Sequence, residues 1–149
     1  MDVMALVFEY RLLLSMQQEF DIPLDERQRA RLDALWSLLE GKHNGPDAHR
    51  VMGRFPYPTS VRFSSQTSIG SGDVVNLSGG GVAIRTSHRI AQGAQVILRF
   101  DGASPGTEYV FPCRVVWAAD GLLGTMGLAF DGAPSKLRAS NPTFFRRAA

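Results

Sequence analysis

At 149 residues the chain is long enough to bury a core without disulfides or metals to staple it, and it has room for one modest domain with an appendage. A lone cysteine, Cys113, excludes a disulfide framework and a Cys-based zinc site and fits a reducing cytoplasm. The net charge of +2 conceals a division: residues 1–45 hold five Lys/Arg against eight Asp/Glu and residues 46–149 hold eleven against six, so an anionic ligand belongs to the second part.

The N-terminus is apolar but carries Asp2, Glu9 and Arg11. It has no basic leader, no small-residue cleavage site and no uncharged run of membrane length, so the expectation is a soluble, cytoplasmic chain without membrane insertion. Val3, Leu6, Val7, Tyr10, Leu13 and Leu14 recur at steps of three and four, as do Leu32, Leu35, Trp36 and Leu39, which predicts two helices. Pro23 and Gly41 punctuate the second, and Asp25 and Glu26 fall in its first turn, where the helix dipole favours negative charge. The short link around Asp21 to Pro23 predicts an antiparallel hairpin over residues 1–45. Met4, Phe8, Leu12 and Met16 add apolar surface beyond what one partner helix covers. The hairpin therefore packs on the following domain, shielding its open side, or makes a homodimer contact.

From residue 46 to 132 the pattern turns to alternation. Val61 and Phe63 begin it; Asp73 to Leu77 and Val82 to Thr86 flank a Gly79-Gly80-Gly81 turn; Val96, Leu98 and Phe100 follow. Tyr109, Phe111, Cys113, Val115 and Trp117 fall on one face of the next strand, then an Asp120-Gly121 turn leads to Met126, Leu128 and Phe130. Pro112 cannot donate to a ladder and predicts an edge or bulge at its position. About six short antiparallel strands in this length make a mainly β fold, a small barrel or sandwich. Residues 133–149 read as a short basic tail with one helical turn after Ala133.

Two motifs carry the chemistry. Arg50 and Arg54 stand four apart, and guanidinium groups can pair with phosphate bidentately or stack on a purine. Asn76-Leu77-Ser78-Gly79-Gly80-Gly81 adds an amide, a hydroxyl and a tight glycine turn. Taken singly, the arginines read as surface charges and the second run as a strand ending in a turn stabilised by its own side chains. In this order and spacing, beside Arg114-Val115-Val116-Trp117 and Gly127-Leu128-Ala129-Phe130, they resemble the RxxxR and (D/N)xSxxG signature of the PilZ family, bacterial receptors for cyclic di-GMP.

The resemblance spans about Arg50 to Phe130 and implies a small six-stranded antiparallel β-barrel preceded by the helical hairpin. It also implies a non-enzymatic receptor, with no cofactor, that binds cyclic di-GMP and relays it to an unidentified protein effector. On the family pattern Arg50 and Arg54 wrap the ligand, Asn76 offers an amide, Ser78 a hydroxyl and Gly81 room for the backbone to approach. Trp117 is a weaker candidate to stack on a base, its alternative being the core or a barrel lid. His49 stands where many relatives have a further arginine and is only partly charged near neutral pH, which leaves one ligand or a stacked pair open. The triple glycine loosens the turn, at a cost in ordering entropy. The family suggests motility, exopolysaccharide output or biofilm formation without choosing among them.

Other classes are disfavoured. The basic residues are scattered, with no recognition helix or RNP-like strand pair, which argues against DNA or RNA. His43, His49 and His88 share no metal-ligand spacing, and no phosphate-binding Gly-Lys-Ser/Thr loop or nucleophile elbow is present. The rival to the receptor is an interaction adaptor of the same fold whose nucleotide site is vestigial.

Overall fold

The computed structural model describes residues 2–40, 57–88, 90–119 and 124–138. Two helices, α1 (Val3–Gln18) and α2 (Glu26–Leu39), precede seven strands: β1 (Ser60–Ser64), β2 (Ile69–Leu77), β3 (Gly81–Arg85), β4 (Gln95–Asp101), β5 (Thr107–Ala119), β6 (Thr125–Phe130) and β7 (Ser135–Arg138).

Each helix starts on an aspartate. Asp2 caps α1 by accepting from the Ala5 N–H. Asp25 is the cap of α2 rather than part of its first turn, and it forms a reciprocal box with Gln28. The link between them turns on Asp21, whose φ of 51° is a left-handed conformation that aspartate tolerates better than most residues.

The strands run in the order β4-β1-β2-β3-β6-β5-β7, and a further β4–β5 pairing closes a six-stranded antiparallel barrel. Its interior is filled by alternate residues, among them Val61, Phe63, Leu98, Phe100, Phe111 and Val115, all buried. β2 begins at Ile69, four residues before the expected Asp73, because Gly70 and Gly72 hide the strand from composition. A Cβ on Gly72 would stand 2.6 Å from the Arg85 carbonyl oxygen, so glycine is what lets β2 and its neighbour approach.

β5 is long enough to serve three partners. Its first part pairs with β4 on one side and β7 on the other, and its second part pairs with β6. The expectation from Pro112 is met: the gap between β6 and β7 falls opposite it, where the Asp131 N–H donates to the Pro112 carbonyl at 2.8 Å. Gly132, at φ 125°, makes the bend there. The helical turn expected after Ala133 is instead β7, since residues 135–138 lie beside the unoccupied flank of β5 and complete its ladder.

The hairpin packs on the barrel, and the two share one continuous core. Phe8 lies 5.1 Å from the Tyr109 ring centroid and 6.4 Å from that of Phe111, while Phe111 stacks on Phe130 at 4.6 Å. Partners on two sides explain why Met4 is fully buried although it lies outside the expected main stripe. Trp36, assigned to the stripe of α2, is instead 47% exposed, because the buried side of α2 runs along Leu32, Leu35 and Leu39. Burial pushes the Cys113 thiol well above its ordinary value, so it behaves as a small apolar core residue.

Candidate ligand-binding site

On the outer face of the barrel β2, β3, β6 and β5 lie side by side, and two irregularities shape a hollow there. Register shifts at Val75, between Val74 and Asn76, and at Val116, between Val115 and Trp117, each insert one extra residue. After each shift the alternation restarts out of phase. Trp117, expected on the inward face with Val115, is therefore turned outward and is 45% exposed.

The result is a pocket of about 410 Å³ whose walls include Asn76, Ser78, Gly80, Gly81, Trp117 and Gly127. That volume lies in the range of small-molecule sites. Trp117 lies across Gly127, where a Cβ would be 2.2 Å from the indole Nε1, so the bare glycine is the seat on which the ring rests. Of the described residues that line the pocket, none has an ionisable side chain. They offer an aromatic face, an amide and backbone groups, and the charge needed to hold an anion has to come from outside these walls.

Ser78 and Gly81 close the β2–β3 turn on themselves. The Ser78 N–H donates to the Gly81 carbonyl at 2.9 Å, the Gly81 N–H donates to Ser78 Oγ at 3.1 Å, and the hydroxyl lies 3.1 Å from that same carbonyl. Gly81 is required by packing: a Cβ would fall 2.1 Å from the Leu128 carbonyl oxygen. The space credited to it for a ligand backbone approach is thus partly filled by β6.

Asn76, Ser78 and Gly81, neighbours within one six-residue run, are brought together with the distant Trp117 at this one pocket. Arg50, Arg54 and His49 lie outside the described residues. Sequence reasoning missed Val75, Val116 and the seat at Gly127. The signal for the last was present, since a glycine inside an apolar strand marks a close approach. Among the described residues no group of three His, Cys, Asp or Glu side chains gathers as a metal ion would need. No described helix is long and apolar enough to cross a membrane.

A family model described as PilZ domain matches residues 47–140, well over half of the chain. The chain belongs to the PilZ domain family. The match contains both motifs and reaches past β7, further than the resemblance read from Arg50 to Phe130, while α1 and α2 lie outside it. PilZ domains are a family of cyclic di-GMP receptors, generally non-enzymatic binding domains that also engage effector proteins.

Two solved structures are similar. The PilZ domain of CeSA from a cellulose-synthesizing bacterium is 22% identical with a TM-score of 0.43, over 52% of this chain and 79% of that one. The Bacillus subtilis inhibitor of motility (MotI/DgrA) is 16% identical with a TM-score of 0.43, over 64% of this chain but only 44% of its own length. No curated protein matches the chain.

Proposed function

We propose that this chain is a non-enzymatic bacterial receptor that binds cyclic di-GMP in the pocket beside the β2–β3 turn and relays it to a protein effector in the cytoplasm. The observation that carries the reading is the convergence of Asn76, Ser78, Gly81 and Trp117 on one pocket whose described walls carry no ionisable side chain. Trp117 supplies a stacking face for a guanine. Asn76 supplies an amide for a base or ribose edge, and Ser78 keeps the turn closed while its oxygen faces a phosphate. Arg50 and Arg54 supply the positive charge that the described walls lack, and His49 adds a partial charge.

Titration calorimetry with cyclic di-GMP, with GTP and cyclic AMP as controls, tests this at a stated moderate salt concentration. Selective, saturable binding at about micromolar Kd or tighter is the expected outcome, and it also gives the stoichiometry. Arg50→Ala and Arg54→Ala should each weaken binding by about 1.5–3 kcal/mol, the range for hydrogen bonds to charged groups. A loss below about threefold for both would remove them from the site.

One observation favours the adaptor with a vestigial site: the Ser78 hydroxyl is already engaged with Gly81 on both its donor and acceptor sides. Under that reading the titration gives no heat and no thermal shift. A homodimer through the helices would use the exposed Trp36 and Leu38 of α2, because α1 is already covered by the barrel. Sedimentation of Trp36→Glu against the parent chain decides it, an unchanged mass removing this face from any dimer.

A further inference from the structure

The β2–β3 turn has two sides, and only one of them faces the pocket. On the other side Gly79 is buried beneath the helices. A Cβ placed on it would stand 3.0 Å from Glu40 Cγ, 3.2 Å from Leu39 Cβ and 3.2 Å from Tyr10 Cε2. At Gly80 the nearest such atom is Glu40 Oε1, at 3.4 Å, and Gly80 also lines the pocket. The Tyr10 hydroxyl donates to the Glu40 carboxylate, which joins α1 to the end of α2 directly over the turn.

A second route reaches the same peptide units. Arg11 Nη2 donates to the Phe130 carbonyl at 3.3 Å, and its guanidinium lies 5.8 Å from the centre of the Phe130 ring. The Phe130 N–H in turn donates to the Gly80 carbonyl at 2.9 Å. Two consecutive residues of α1 thus bear on the turn, Tyr10 by contact and Arg11 through one intervening residue.

We propose that the helical hairpin holds the ligand turn in its binding geometry, with Tyr10, Arg11 and Glu40 as positioning residues that do not touch the ligand. This rests on the reading of the pocket as the nucleotide site. Three successive glycines have the widest backbone freedom of any tripeptide, and a turn built of them alone would be ordered only when ligand arrives. Here the Ser78–Gly81 hydrogen bonds and the β3–β6 pairing fix one end of the turn and the helices restrict Gly79 and Gly80, so the entropy that the triple glycine was expected to charge against binding is already met within the fold. Coupling of this kind is reciprocal, so ligand in the pocket tightens the hairpin's grip by the same factor.

The test uses the full chain with Tyr10→Phe, which keeps the ring against Gly79 and removes the hydroxyl, Arg11→Met, and Glu40→Gln, which keeps an acceptor for Tyr10. Amide hydrogen exchange of the ligand-free protein is read at Gly79, Gly80 and Gly81 and at Val96–Phe100 across the barrel, and cyclic di-GMP affinity is read by calorimetry. Tyr10→Phe and Arg11→Met should speed exchange at the three glycines and weaken affinity, each by about fivefold or more, with β4 unchanged and Glu40→Gln near the parent chain.

Unchanged exchange at the glycines, or faster exchange there with affinity untouched, overturns the proposal. Exchange rising equally in β4 would reduce the effect to general destabilisation and also overturns it. If the parent chain does not bind cyclic di-GMP, the functional reading falls on its own, and the exchange arm still decides whether the hairpin orders the turn.

Discussion

The inside of the barrel and the hollow on its outer wall are made from the same strands by opposite means. Inside, strict alternation puts every second residue of β4 and the first part of β5 into a close-packed core. Outside, the hollow exists because alternation fails twice, at Val75 and Val116, and because glycine stands at positions 81 and 127 where any side chain would collide. Regular period makes stability, and local departures from it make a place for a ligand.

Core and hollow should therefore respond differently to substitution, and the largest effect belongs to the core. Phe111 is fully buried and touches Phe8, Phe100 and Phe130. Phe111→Ala should cost about 3–5 kcal/mol in urea unfolding. A cost below about 1 kcal/mol would mean that the hairpin and barrel do not share a core.

Gly81→Ala probes the boundary between the two regions. Its Cβ would meet the Leu128 carbonyl oxygen at 2.1 Å, so β3 and β6 must separate, at about 1–3 kcal/mol of stability, the range for overpacked sites. Cyclic di-GMP binding should be lost with it. Unfolding and titration of the same sample check both, and wild-type stability would show that the strands have slack.

Trp117→Ala should do the reverse. Half-exposed and outside the core, the ring should cost less than about 1 kcal/mol of folding stability when removed. If it stacks on a base, affinity should fall by about 1–3 kcal/mol. Calorimetry showing no loss would return Trp117 to a purely structural role.

The smallest effect concerns pH. Burial first, and the hydrogen bond to Glu40 second, raise the Tyr10 hydroxyl above its ordinary value of 10.0. Its folded value exceeds its unfolded one, so its contribution to stability is whole below about pH 10 and is lost as the pH rises beyond that. Tyr57 and Tyr109 are raised as well, by burial. The unfolding midpoint should drop on going from about pH 9 to pH 11, and less steeply in Tyr10→Phe. Identical slopes in the two chains would remove Tyr10 from the alkaline transition.

Much of this was legible in the residues, and the physical reason for each success and failure is the same distinction. Val96, Leu98 and Phe100, or Tyr109 to Val115, announce their face because nothing interrupts their period. Asn76, Ser78 and Gly81 were legible as a motif, and they do gather with Trp117 at one pocket. Trp117 itself was assigned to the wrong face because a bulge is invisible to a count of every second residue. β7 was missed because Ser135-Lys136-Leu137-Arg138 is exposed at all four positions and carries no alternation. The helical stripe placed Met4 too far out and Trp36 too far in, since periodicity shows that a helix has an apolar side without showing how many neighbours will share it.

The packing of Phe8 between Tyr109 and Phe111 bears on how such a receptor could be transplanted. The recognisable family text starts at residue 47, but the piece that keeps water from the barrel's aromatic residues starts at the beginning of α1. A sensor assembled by fusing residues 47–140 to a reporter would carry the whole ligand signature and leave behind part of its own interior. A portable module needs the helices as well, and their outward faces become the natural place for a designer to attach the cargo.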